Sequence, residues 1–291
     1  MELVEQSLDG AIQGVAVGPV KRAVGPVKRA AGGVIVLAGS SGRVDVARAR
    51  LLAQHRAIAL ALRWFGGPGQ SPGICEIPLE TFTSAVDWLM DQGVKRVGLL
   101  GLSKGAEAAL LTACYDARIG AVVAISPSSV AWANVGAGAD GQSYPYRSSW
   151  TWQGAPLPFV PYDESRSVDQ TQGPVAYRAL YEQSLAAFPE RALAAAIPIE
   201  RTAARILLIA GGDDEMWPSA SFAGSLAERA RAAGRQIEVI AEPRAGHRPP
   251  LPGEPAPLPS RTYRYGGSPE ADAALGAAAW PRVLDCLGLP R

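Results

Sequence analysis

A buried strand that runs straight into a helix, with a serine at the joint, constrains this chain more than any other feature. The stretch Val97-Gly98-Leu99-Leu100-Gly101-Leu102-Ser103-Lys104-Gly105-Ala106-Glu107 sets Gly101 and Gly105 on either side of Ser103. That is the G-x-S-x-G spacing of a nucleophile elbow, in which the serine hydroxyl is pushed out above a sheet. Glycine is needed at both flanks because neighbouring backbone passes too close for a Cβ. Spacing alone is a weak signal, but Arg96 to Leu100 is β-capable and Ala106 to Cys114 is rich in helix formers, so the strand, turn and helix are all present. A serine at such a joint has the Lys104 amide beside it, which is half of an oxyanion hole. The plainer reading, a serine that only caps a helix, has to be weighed against what the rest of the chain supplies.

From Gly33 onward the chain alternates between apolar strands and helices. Strands are expected at Val34 to Leu37, Ala57 to Arg63, Ala121 to Ile125, Arg205 to Ala210 and Ile237 to Ala241. Helices are expected at Val44 to His55, Leu79 to Asp91, Ser219 to Ala233 and Pro269 to Cys286. Such alternation predicts a mostly parallel sheet with helices on both faces and right-handed crossovers. Residues 2 to 17 alternate around Asp9-Gly10 and read as an antiparallel edge hairpin. The seven residues Ala16 to Arg22 are repeated at once as Ala23 to Arg29. A proline in each copy interrupts any strand, so the repeat reads as a lengthened exposed connection. Between Ser126 and Arg201 the rhythm breaks into a segment rich in Pro, Trp, Tyr and Ser, and 127–200 is expected to be a lid-like insertion. Its Trp150, Trp152, Phe159 and Tyr162 could line an acyl pocket or form the insertion's own small core, and the sequence favours neither.

A serine hydroxyl needs a base, most often histidine, and the chain has two. His55 ends a helix before a strand and reads as a capping or exposed residue. His247, in Pro243-Arg244-Ala245-Gly246-His247-Arg248-Pro249-Pro250, follows a strand and sits in a loop at the carboxyl edge, where open parallel sheets bind ligands. The acid that orients the imidazole is expected between Ser103 and His247, and Gly211-Gly212-Asp213-Asp214-Glu215-Met216-Trp217-Pro218 provides it directly after a strand. Of the adjacent aspartates, Asp214 is favoured because the turn carries it inward, leaving Asp213 to cap or face solvent. The order Ser, Asp, His is the α/β-hydrolase order. The second oxyanion amide is expected from Gly39-Ser40-Ser41-Gly42, with Ser40 first and Ser41 as the alternative. Asp213, Asp214 and Glu215 lack histidine partners and calcium-loop spacing, so no metal is implied, and no redox cofactor is called for.

A formal charge of +1 over 291 residues gives no electrostatic case for nucleic acid or an anionic membrane. Small molecules are the expected partners. Cys75, Cys114 and Cys286 have neither zinc spacing nor an even count, which suits a reducing cytoplasm. Neither a signal-peptide pattern nor an apolar run of bilayer length is apparent in the sequence.

The chain resembles the C-terminal α/β-hydrolase domain shared by acyl-CoA thioesterases and bile acid-CoA:amino acid N-acyltransferase. The resemblance runs in order from about residue 33 to the end. It is carried by Gly39-Ser40-Ser41-Gly42, Ala57 to Leu62, Ile77-Pro78-Leu79-Glu80-Thr81-Phe82, the elbow form S-K-G-x-E at Ser103 to Glu107, Gly212 to Ser219, Ala245-Gly246-His247 and Gly266-Gly267-Ser268-Pro269. It implies Ser103 as nucleophile, Asp214 as acid and His247 as base, matching the residue-level reading. Relatives with an N-terminal immunoglobulin-like domain differ from this chain, whose residues 1–30 are expected to hold only a hairpin remnant of a single domain spanning 1–291. The acyltransferase branch uses cysteine at the elbow, so the serine here points to hydrolysis of an acyl thioester. An acyltransferase or cyclase, a carboxylesterase and a non-enzymatic binding fold are the alternatives. Lys104 and Glu107 side chains are expected to be structural.

Overall fold

Apolar runs with no polar face must be covered on both sides, and in this chain they become the inner strands of one sheet. The computed structural model describes residues 3–18, 30–165 and 173–291. An antiparallel hairpin, β1 (Val4–Asp9) and β2 (Gln13–Gly18), is followed by β3 (Gly32–Leu37), α1 (Val46–Gln54), β4 (Ala57–Arg63), β5 (Ile77–Pro78), α2 (Glu80–Asp91), β6 (Val97–Leu102), α3 (Lys104–Tyr115) and β7 (Ile119–Ile125). After β7 come the short β8 (Trp150–Trp152), β9 (Ala155–Pro156), α4 (Arg178–Ala187) and α5 (Pro189–Ala194). Then β10 (Arg205–Gly211), α6 (Ser219–Ala232), β11 (Glu238–Glu242) and α7 (Pro269–Leu287) complete the chain.

The main sheet has the order β1-β2-β4-β3-β6-β7-β10-β11. It is antiparallel at β1-β2 and β2-β4 and parallel across the remaining pairs. Alternation along the strands sorts the core into two layers. On β4, Ile58, Leu60 and Leu62 pack toward α2 and α3, whereas Ala57, Ala59 and Ala61 face α1. Small residues on that face of β4 let α1 lie close to it. The expected helices and strands are present with ends shifted by a residue or two, and the hairpin turns through three residues, 10–12. The tandem repeat lies mostly outside the described residues. Among the described residues, no helix is long and apolar enough to cross a membrane.

Register decides where the functional loops emerge. Leu37 pairs with Gly101, Leu102 with Ile125 and Ile125 with Ile209. The carboxyl ends of β3, β6, β7 and β10 therefore sit side by side. The segments after them, carrying Gly39, Ser103, Ser126 and Asp214, leave the sheet at one rim. There β5, β8 and β9 form a separate three-stranded sheet within the connections.

Candidate active site

Ser103 occupies the joint between β6 and α3 with φ 58° and ψ −123°, a conformation that is costly for any residue with a Cβ. The flanking glycines explain how it is held. A Cβ on Gly101 would overlap the Gly105 carbonyl, and one on Gly105 would overlap the carbonyls of Leu37 and Ala38. The Ser103 amide donates to the Ile125 carbonyl at 2.9 Å, which continues the sheet to its last possible residue. The same G-x-S-x-G spacing recurs at Gly69-Gln70-Ser71-Pro72-Gly73, but those residues form a loop with no helix behind it. Context separates the two.

The loop after β3 runs against the serine. A Cβ placed on Gly39 would lie 3.1 Å from the Ser103 Cβ and 3.6 Å from its Oγ. Ser40, Ser41 and Lys104 line the same cavity as Ser103.

His247, which is nearly fully buried, lines the same cavity. Its Nδ1 lies 2.7 Å from Oδ2 of Asp214. Asp214 has no solvent exposure, and its other oxygen accepts from the amides of Met216 at 2.8 Å and Trp217 at 3.2 Å. A carboxylate fixed on one side by two amides can hold the imidazole in one tautomer with Nδ1 protonated. Nε2 is then the nitrogen left to accept a proton. The backbone of His247 is pinned as well: its amide donates to the Tyr265 carbonyl at 2.9 Å and its carbonyl accepts from Ser126 Oγ at 2.8 Å. The ring lies edge-on to Trp217 and parallel to Tyr265.

Asp213 is exposed, and its Oδ2 accepts from the Gly267 amide at 2.9 Å, a loop-holding role rather than a share in the pair. His55 lies elsewhere, its Nδ1 2.9 Å from the Pro290 carbonyl and its ring against Trp280. The glycine motifs near the end of the chain pack on one another, since a Cβ on Gly246 would overlap the Gly266 carbonyl. Asp272 accepts from the Gly246 amide at 2.6 Å, and burial pushes its carboxyl upward from the ordinary value. Nothing local in the sequence marks Asp272, because it acts from α7 on a loop 26 residues away.

Lys104 and Glu107 join the elbow to the segment after β7. Glu107, fully buried, accepts from Lys104 Nζ at 2.8 and 2.9 Å, from the Trp132 amide at 3.0 Å and from Trp150 Nε1 at 2.7 Å. Lys104 Nζ also donates to Ser149 Oγ at 2.9 Å, and burial pulls its ammonium down from the ordinary lysine value. Trp150 sits in the main core against Trp64 and Phe82, and Trp152 packs on Tyr115. Of the four aromatics singled out in the insertion, Tyr162 lines the cavity and Phe159 does not. The cavity volume is about 1080 Å³, at the top of the range for small-molecule sites. Among the described residues, no group of three or more His, Cys, Asp or Glu side chains is placed to hold a metal ion.

The family described as BAAT / Acyl-CoA thioester hydrolase C terminal matches residues 77–288. The chain belongs to this family. Human acyl-coenzyme A thioesterase 1 is 28% identical over 260 residues, 86% of this chain and 58% of the relative. Mouse acyl-coenzyme A amino acid N-acyltransferase 1 is 28% identical over 262 residues, again 86% and 58%. The chain thus spans less than two thirds of the length of these BAAT-family relatives. Among solved structures, a Mycobacterium tuberculosis puromycin-hydrolyzing peptidase aligns with TM-score 0.57 at 15% identity, over 99% of this chain and 40% of that one. A dienelactone hydrolase-like promiscuous phosphotriesterase from metagenomic libraries aligns with TM-score 0.50 at 14% identity, over the full length of both. At that identity the likeness speaks for the fold, which is that of the α/β hydrolases.

Proposed function

We propose that this BAAT-family chain is a serine hydrolase that cleaves acyl thioesters, such as a CoA or carrier-protein conjugate, through an acyl-serine intermediate. The observation that carries the reading is the buried Asp214 to His247 contact of 2.7 Å, in the wall of the cavity onto which the strained Ser103 opens. In this mechanism Ser103 Oγ attacks the thioester carbonyl while His247 Nε2 takes the hydroxyl proton. The Ser40 and Lys104 amides hold the oxyanion, each donor being worth about 10²–10³ in rate. Collapse expels the thiolate, which takes the proton from His247. Water then enters, His247 removes its proton, and the acid leaves with Ser103 regenerated. The chain works as one α/β-hydrolase unit. The acyl thioester is small or is carried on the arm of a carrier protein, and no metal or redox cofactor takes part.

Release of free thiol from an acyl thioester tests this. Ser103→Ala and His247→Ala should each lower kcat by at least about 10³-fold with the fold intact. Retention of wild-type turnover by either variant would overturn the assignment. Transfer to an amine is the second reading, favoured by the N-acyltransferase among the relatives. It predicts an amide product when glycine or taurine is added, and serine hydrolysis predicts free acid regardless.

A further inference from the structure

The aromatic residues of this protein are sorted between core and cavity by type. Seven of the eight tyrosines line the cavity, all but Tyr115. None of the five phenylalanines does, and of the seven tryptophans only Trp217 does. Tyrosine favours sites where one end is apolar and the other wet, but that preference alone would scatter it over the surface. Here the rings form a connected series. Tyr146 meets Tyr162 edge to face with centroids 5.3 Å apart, and Tyr162 meets Tyr181 at 5.6 Å. Tyr181 meets Trp217 at 5.4 Å, Trp217 meets His247 at 5.7 Å, and the imidazole lies parallel to Tyr265 at 6.0 Å. A wall of π faces and edges therefore runs from the segment after β7 to the imidazole itself.

The same wall is hydroxylated. Tyr144 and Tyr146 share a hydrogen bond at 3.2 Å, and the Tyr162 hydroxyl donates to the Ala133 carbonyl at 3.2 Å. Asn134, Ser143, Asp163 and Glu164 also face the space. Leu102, Val135, Leu180, Met216 and Leu258 line the space as well, and the hydroxyls of Tyr144, Tyr146 and Tyr162 already have protein partners, so a saturated chain would pack there but leave the ring faces and the further hydrogen-bonding positions of the tyrosines unused. A ring with oxygen substituents would stack or meet edge to face with the tyrosines and exchange hydrogen bonds with their hydroxyls.

From this lining we infer that the acyl group preferred at this site is aromatic and carries hydroxyl or oxo groups, over a long linear aliphatic chain of the same size. The inference rests on the hydrolase reading above and narrows its substrate class. Tyr146 and Tyr263 are its specificity-determining residues, since both face the cavity and Tyr263 is 40% exposed, outside the packed core.

The test compares N-acetylcysteamine thioesters whose acyl groups have equal numbers of non-hydrogen atoms, 4-hydroxycinnamoyl against decanoyl, with the acetyl thioester as control. The full chain should favour the 4-hydroxycinnamoyl ester by at least ten-fold in kcat/KM. Tyr146→Leu and Tyr263→Leu should each reduce that ratio several-fold. Because the ratio is taken on one preparation, any loss of folded protein cancels. Tyr146→Phe separates the hydroxyl from the ring: it should lower turnover of the 4-hydroxycinnamoyl ester relative to the unsubstituted cinnamoyl ester. Equal or better turnover of decanoyl, with Ser103-dependent cleavage of the acetyl thioester intact, overturns the acyl-group inference and leaves the hydrolase reading standing. No Ser103-dependent thiol release from any of the esters overturns both.

Discussion

Replacing Glu107 tests how tightly the elbow is bound to the segment after β7. Glu107→Gln keeps an acceptor oxygen for the Trp132 amide and Trp150 Nε1 but removes the anion beside Lys104 Nζ. Lys104 and Glu107 side chains are 2% and 0% exposed, so the ammonium is left buried with no anion beside it, its acceptors reduced to Ser149 Oγ and the neutral amide oxygen it shares with the two tryptophans. Breaking one side of a buried pair costs about 3–5 kcal/mol, or roughly 6–20 °C in Tm for a domain of about this size. Lys104→Met should cost a similar amount by stranding the carboxylate. The double variant Lys104→Met/Glu107→Gln strands neither charge and keeps the tryptophan acceptor, so it should lose clearly less than the sum. Urea unfolding of the four proteins gives the coupling energy directly. Additivity within about 0.5 kcal/mol would refute the reasoning. A pH dependence follows with its sign. Burial already pulls the Lys104 ammonium down, and without Glu107 its folded-state value falls further. Between that value and the ordinary lysine value the unfolded state binds more protons, so stability rises with pH. The deficit of Glu107→Gln should therefore shrink from pH 7 to pH 9. A widening deficit would contradict the assignment of the charge to Lys104.

The two adjacent aspartates should part sharply. Asp214→Asn removes the carboxylate from His247 and should lower kcat by about 10⁴-fold, whereas Asp213→Asn, which at most loosens the Gly267 amide, should stay within about ten-fold by the same thiol-release assay. Equal losses would refute that division of roles. Burial raises the Asp272 carboxyl, and the Asp214 and Asp213 charges add to it against the Gly246 amide. A raised carboxyl stabilises the fold below its ordinary value and loses that contribution as pH rises through the shifted one. Asp272→Asn keeps an acceptor and carries no charge, so its Tm relative to wild type should climb from pH 4 to pH 7. A falling difference, read by thermal melts, would refute it.

The placing of Ser103, Asp214 and His247 at one rim was legible because each follows a strand within a few residues, so local pattern fixed both the element and the side of the sheet. Asp214 could be told from Asp213 by turn chemistry alone. The second G-x-S-x-G at Gly69 to Gly73 shows that spacing without the helix behind it says nothing. The cavity wall was much less legible. Its tyrosines come from irregular stretches with no hydrophobic period, and only tertiary packing decides that Tyr162 faces the cavity while Trp150 enters the core. Burial of the Lys104 and Glu107 pair was likewise hidden, since its partners Trp132, Ser149 and Trp150 are brought to it from 25 or more residues away.

Labelling with a fluorophosphonate, mapped by mass spectrometry of the digested protein, bears most directly on whether the residue at position 103 is an activated alcohol. The account predicts a single adduct on the peptide that holds Ser103, absent from Ser103→Ala and strongly slowed in His247→Ala. An unlabelled wild-type protein, or an adduct on any other side chain, would contradict it.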